Sequence, residues 1–172
     1  ILTYENKPIN AVFHAISNGQ TENASDVWGG DYPYLVSVQS AGDKLSPAYK
    51  SEVAVTSEEF KKKINDKSVD LSENPEKWVK KITNTDTGMV KEIVIGNKSF
   101  KGTEIRTLFG LKSSTFAIKH SDGNFIFTVC GYGHGVGMSQ TGADSLAKSG
   151  SKYEAIIKHF YTNVEITEVN SL

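Results

Sequence analysis

The stretch Phe125-Ile126-Phe127-Thr128-Val129-Cys130-Gly131-Tyr132-Gly133-His134-Gly135-Val136-Gly137-Met138-Ser139-Gln140-Thr141-Gly142-Ala143 changes character twice. Residues 125–130 are aromatic, β-branched or small and apolar, the composition of a strand. Glycine then occupies every second position from 131 to 137, and a helical pattern runs from Ser139 to about Lys148. Working upstream, Ser121-Asp122-Gly123-Asn124 is a hairpin turn that joins a strand over Thr115–His120 to the one over Phe125–Cys130. Further strands are expected over Trp78–Asn84, Met89–Ile95 and Lys98–Phe100, the first two joined by Asp86-Thr87-Gly88, with a short helical piece around Thr103–Phe109. Thr56-Ser57-Glu58-Glu59 has the spacing of a capping box and opens a helix that carries Phe60 and Ile64 and ends near Asn65. Strands are also expected at Glu52–Val55 and at Tyr34–Gln39, and Ile1–Ser17 reads as a hairpin that breaks at Glu5-Asn6-Lys7-Pro8. Downstream lie a helix over Tyr153–Tyr161, with Ile156, Ile157 and Phe160 on one face, and a last strand over Val164–Val169. The expected class is α+β: a largely antiparallel sheet built from hairpins, with a few short helices mostly in the C-terminal half, in a single domain over residues 1–172.

Composition bounds the function. In 172 residues, 38% are hydrophobic and 10% aromatic, enough for a packed core. Lys and Arg total 19 against 20 Asp and Glu, a formal net charge of -1. A dedicated nucleic-acid binder would carry an excess of basic residues, so no nucleic-acid partner is expected. The single cysteine, Cys130, excludes an internal disulfide and a Cys-rich zinc module. No apolar run approaches the roughly 20 residues that span a bilayer. Because the chain opens on Ile1, it reads as a processed or truncated piece.

The glycine-rich loop is the main candidate for chemistry. Alternating glycines let the main chain turn sharply and let a ligand approach it closely. The loop presents Tyr132 and His134 and leads into Ser139 and Gln140 at the start of a helix, whose free N–H groups can receive a ligand. It is either a ligand-facing loop or a tight strand-to-helix connection with a structural histidine. A dinucleotide fingerprint fails because Met138 or Val136 stands where the third glycine is due, and the Gly-Lys-Ser/Thr ending of a P-loop is missing. Cys130 closes an apolar strand and is expected to be a packed core residue, not a nucleophile. His14, His120, His134 and His159 show no short ligand spacing, so no metal and no cofactor are expected.

A second cluster gathers His14, Ser17, Gly19, Thr21, Glu22, Asn23 and Trp28. A Trp face can cover the apolar face of a pyranose while hydroxyl, amide and carboxylate groups take its polar substituents. The same residues also suit a hydrogen-bonded loop with Trp28 in the core. Arg106 is the only arginine, and its planar fork suits a carboxylate or backbone carbonyls. The run Lys61-Lys62-Lys63 reads as the solvated face of its helix.

Together the two clusters resemble the SpoIID family of sporulation proteins. The matching stretches are Phe13–Gly30 with Pro33-Tyr34-Leu35, then Gly133–Ala143, with Ile105-Arg106 and Leu111–Phe116 between them in the family's order. The resemblance implies a bacterial peptidoglycan lytic transglycosylase, which cuts the β-1,4 bond between N-acetylmuramic acid and N-acetylglucosamine without water and leaves a 1,6-anhydro end. One carboxylic acid serves both proton transfers, unlike the two carboxylates of most glycosidases. It also implies septal wall remodelling during engulfment, on peptidoglycan glycan strands, beside a partner amidase and other septal proteins. The domain is then expected outside the cytoplasm, held to a membrane only through a segment not in this chain. The family's proposed catalytic Glu lies in a Pro-x-Glu segment ahead of the opening hairpin, so this chain is expected to lack it and to be inactive or weak alone. The expected site is His134 and Gln140 in supporting catalytic roles, with His14, Ser17, Thr21, Glu22, Trp28, Arg106, Tyr132 and Ser139 binding substrate. The alternative is a non-catalytic peptidoglycan-binding or scaffold module.

Overall fold

A computed structural model describes residues 1–64 and 68–168. In chain order its strands and helices are β1 (Leu2–Tyr4), β2 (Lys7–Pro8), β3 (Phe13–His14), α1 (Ala24–Val27), β4 (Lys50–Thr56), α2 (Ser57–Ile64), β5 (Val79–Asn84), β6 (Val90–Ile95), β7 (Lys98–Lys101), α3 (Gly102–Phe109), β8 (Phe116–Ser121), β9 (Asn124–Cys130), β10 (Met138–Ser139), α4 (Gln140–Lys148), α5 (Tyr153–Phe160) and β11 (Glu165–Ile166), with 3-10 turns at Ala41–Leu45 and Pro75–Lys77. Almost every strand pairing is antiparallel, and the class is α+β as expected. The chain forms two compact units: residues 50–130, and residues 1–49 together with 131–172.

The unit of residues 50–130 holds two three-stranded sheets, ordered β4-β9-β8 and β5-β6-β7. Alternation in β9 buries Phe125, Phe127 and Val129, so one face of the strand packs inward. Cys130, expected in the core, falls on the other face with Ile126 and Thr128 and is half-buried. The β8–β9 hairpin turns at Asp122 (φ 51°) and Gly123 (φ 75°), the left-handed pair that a two-residue hairpin loop requires. The capping box forms as read: Thr56 N and Oγ1 donate to Glu59 Oε2, at 2.9 and 3.0 Å, and Glu59 N donates to Thr56 Oγ1 at 3.1 Å. The helix it starts delivers Phe60 into the core, with ring centroids 4.0 Å from Phe125 and 5.0 Å from Phe109. Its expected end near Asn65 lies outside the described residues.

The other unit closes across a long sequence gap. Its sheet runs β11-β1-β2, and β3 pairs in parallel with β10, aligning Phe13 with Met138 and His14 with Ser139. The opening hairpin turns at Glu5 and Asn6, both at positive φ. Leu35, Val136, Ile156, Phe160, Tyr161 and Val164 form the core, with Ile156 and Phe160 supplied by the buried face of α5.

Two readings are corrected here. Tyr34–Gln39 is not a strand. Its bonds alternate between main chain and side chains: Thr21 N donates to Val38 O at 2.8 Å, Val38 N to Thr21 Oγ1 at 2.9 Å and Ser37 N to Asn23 Oδ1 at 2.9 Å. No ladder forms, although the segment is held along its length. The last strand covers only Glu165–Ile166, and Val169 lies outside the described residues.

Candidate functional site

The four alternating glycines explain how the site is built. Gly131, Gly133, Gly135 and Gly137 all adopt positive φ, at 81°, 119°, 82° and 72°, a conformation that costs other residues free energy. Each is also pressed against the segment of residues 12–22. A Cβ on Gly131 would meet Ile16 O at 2.8 Å, one on Gly133 would meet His14 Cβ at 2.7 Å, one on Gly135 would meet Glu22 Cγ at 2.6 Å, and one on Gly137 would run into Val12 O. Main-chain bonds follow the same seam: Tyr132 N to Ile16 O at 2.7 Å, Ile16 N to Tyr132 O at 3.0 Å and Glu22 N to Gly135 O at 2.8 Å. Glycine is required here because two backbones lie side by side without room for side chains between them. The structure thus brings the two clusters together.

At this seam, His14 is buried and His134 is half-buried. Their ring centroids are 5.7 Å apart. The His134 ring also lies 5.0 Å from that of Trp28, which is 48% exposed. Trp28 is therefore a surface residue at the end of α1, not a core one. Tyr132 is 49% exposed, and Gln140 is exposed at the first position of α4. Burial pushes the His14 imidazole down to about 4, outweighing the opposing hydrogen bond to Val136, and the nearby His134 adds to the drop. His14 is neutral at pH 7. Its Nδ1 bonds Val136 O at 3.1 Å, while its buried Nε2 has no hydrogen-bond partner in the structure.

Ser17, Thr21 and Ser139 were expected to meet substrate, but all three are buried. Ser17 N donates to Asp43 Oδ2 at 2.9 Å and Ser17 Oγ makes a short bond to the same oxygen. Ser139 Oγ donates to Asp43 Oδ1 at 2.7 Å and accepts from Gly142 N at 3.2 Å, capping α4. Thr21 binds the Tyr34–Gln39 segment through the bonds given above. These hydroxyls form the frame beneath the surface, with their hydrogen-bonding capacity taken up by the chain itself. Asp43, which joins Ser17 to Ser139 at the start of α4, was missed. Its 3-10 turn reads as an ordinary loop, and nothing local signals that its partners lie 26 and 96 positions away.

Glu22 is buried, with its Cγ over Gly135. Arg106 belongs to the unit of residues 50–130, where its Nε donates to Leu111 O at 3.4 Å near the C-terminal end of α3. His120 bonds Ser57 Oγ at 3.0 Å, and His159 bonds Gln39 O at 2.7 Å. Among the described residues, no three of His, Cys, Asp and Glu gather closely enough to hold a metal ion. The seam carries an exposed indole 5.0 Å from His134, and an exposed phenol, Tyr132, two residues before it.

No family model matches the chain. It is 44% identical over 99% of its length to Stage II sporulation protein D of Bacillus amyloliquefaciens and 42% identical over 99% to Stage II sporulation protein D of Bacillus subtilis. It is also 25% identical, over 97% of its length, to a Bacillus subtilis protein named Amidase enhancer. The chain spans about half the length of the two sporulation proteins, 48% and 49%, and 31% of the Amidase enhancer. The similarity expected from the two clusters is borne out.

Proposed function

We propose that this chain is the glycan-engaging body of a sporulation protein that remodels peptidoglycan by lytic transglycosylation between N-acetylmuramic acid and N-acetylglucosamine. The observation that carries the proposal is the similarity to Stage II sporulation protein D, at 42% and 44% identity along nearly the whole chain. The half-exposed Trp28 against His134 supports it as a sugar-stacking surface next to hydrogen-bonding groups. In this reading Trp28 and Tyr132 carry sugar rings, His134 and Gln140 orient the scissile linkage, and Glu22 and His14 set the position of His134. The carboxylic acid of the reaction comes from sequence outside these 172 residues, in a setting that raises its pKa. Arg106 has a separate binding or structural role. The protein acts on the cell-wall side of a membrane, with an amidase and other septal proteins as partners. Among the described residues no helix is long and apolar enough to cross a membrane, and anchoring is assigned to another part of the protein.

The test is mass spectrometry of peptide-free glycan strands incubated with this chain and with a version extended at its N-terminus. The extended protein is expected to release 1,6-anhydro ends and the chain alone to release few. Absence of such products from the extended protein sinks the enzymatic reading. The second reading, a non-catalytic wall-binding or scaffold module, is favoured by the similarity to the Amidase enhancer and by the internal engagement of Ser17, Thr21 and Ser139. Glycan binding without turnover by the extended protein would select it.

A further inference from the structure

Beyond Trp28 the chain stays at the surface: Gly29, Gly30, Asp31, Tyr32 and Pro33 are all exposed. Both ends of this loop are tied down. Trp28 N donates to Ala24 O at 2.8 Å and Gly29 N to Ser25 O at 3.1 Å, while the main-chain N–H of the buried Leu35 donates to Tyr32 O at 2.8 Å. Tyr32 is 38% exposed, yet its ring is braced. It stands nearly perpendicular to Tyr34, with centroids 6.5 Å apart, and Tyr34 in turn lies 5.7 Å from Tyr4 of β1. A Cβ on Gly30 would come within 3.2 Å of the Tyr32 ring, so the main chain packs closely against it. Among the described residues nothing hydrogen-bonds the Tyr32 hydroxyl. Over Gly29 the space is open, and a Cβ there would meet nothing within 4 Å.

Two exposed aromatic rings thus flank a short stretch of bare main chain, with Cα atoms at most about 14 Å apart. An aromatic ring with its polar tip in solvent suits a ligand that has apolar C–H faces and hydroxyl edges. A glycine floor lets that ligand lie close to the backbone. We infer that Tyr32 is a second sugar-binding platform, so that the site takes an oligosaccharide running from Trp28 across Gly29 to Tyr32 instead of a single disaccharide. A ring already braced by Tyr34 loses little further freedom when a ligand settles on it. The inference rests on the glycan reading above and adds to it the length of the ligand.

Titration calorimetry of the 172-residue chain with peptide-free glycan fragments of two and of six sugars tests this. The wild type is expected to bind the longer fragment about tenfold more tightly. Tyr32→Ala is expected to erase that advantage while leaving the affinity for the two-sugar fragment unchanged. Tyr32→Phe, which keeps the ring, is expected to retain most of it. Equal affinity of the wild type for both fragments would overturn the inference, whatever the variants do. A length preference that survives in a folded Tyr32→Ala, or one that Tyr32→Phe loses as fully as Tyr32→Ala, would also overturn it and leave the glycan reading standing. Binding of neither fragment by the wild type would refute the glycan reading and the inference with it.

Discussion

The Trp28 indole and the His134 imidazole lie with centroids 5.0 Å apart and planes inclined by 54°, although 106 residues separate them in the chain. One ring is half-exposed and the other half-buried, so an apolar face and a polar ring lie side by side at the surface. Trp28→Ala is expected to weaken binding to glycan strands about tenfold or more while lowering the melting temperature only modestly, because about half of this residue is exposed. Titration calorimetry and a thermal melt of the same preparation check both halves. Unaltered affinity would remove Trp28 from the site.

His134→Ala is expected to cut turnover by the longer protein about 10- to 1,000-fold, the range for losing an oriented polar group at a reacting centre. The fold should survive, since the ring is only half-buried. Unfolding, or unchanged anhydro-product formation, would make this histidine structural.

Asp43→Ala removes the acceptor for Ser17 N, Ser17 Oγ and Ser139 Oγ in a fully buried setting. The expected cost is about 2–4 kcal/mol in urea unfolding, as several donors lose a charged partner at once. A loss below about 1 kcal/mol would mean that the three groups find other partners.

Gly137→Ala and Gly110→Ala separate conformational strain from crowding. Both glycines have positive φ, at 72° and 65°, but an added Cβ would strike Val12 O at Gly137 and nothing within 4 Å at Gly110. Gly110→Ala is expected to cost about 1 kcal/mol and Gly137→Ala at least twice that. Equal losses would show that the seam beside β3 yields readily.

Stability should depend on pH through His14. Its folded pKa of about 4 lies below the unfolded value of 6.5, so between those limits the unfolded state binds more protons. The contribution is complete above pH 6.5 and is lost progressively as pH falls to about 4, to a total of roughly 3 kcal/mol. Urea midpoints measured from pH 7 to pH 4 should decline accordingly and should flatten in His14→Asn. An equally steep decline in that variant would place the responsible group elsewhere.

Hairpins and caps were legible in the sequence because their determinants are local. Asp122-Gly123 and Thr56–Glu59 name their own turn and cap, and Phe125, Phe127 and Val129 follow the alternation of a strand. The glycine loop and the His14–Trp28 segment could be singled out by residue type, and the four glycines by their alternation. What opposed them could not be read, because contacts such as Gly133 to His14 and Gly135 to Glu22 bridge more than a hundred residues. For the same reason the hydroxyls of Ser17 and Ser139 looked available to substrate: the carboxylate that occupies them lies in an unremarkable turn. Tyr34–Gln39 misled because β-prone composition was matched by side-chain partners instead of a neighbouring strand.

The bond between His14 and Val136 joins positions 122 residues apart, with residues 50–130 inserted between the halves of one unit. A ribosome adding about 5–20 residues per second needs on the order of ten seconds to travel from one to the other. Residues 50–130 carry all their strand partners within themselves and can complete their sheets during that interval. The first 49 residues must wait in the open, with β3 unpaired and Asp43 solvated, until the glycine loop emerges. The seam between β3 and the glycine loop is thus assembled late in synthesis, and a polypeptide released before Gly131 would carry a finished inserted unit and no seam.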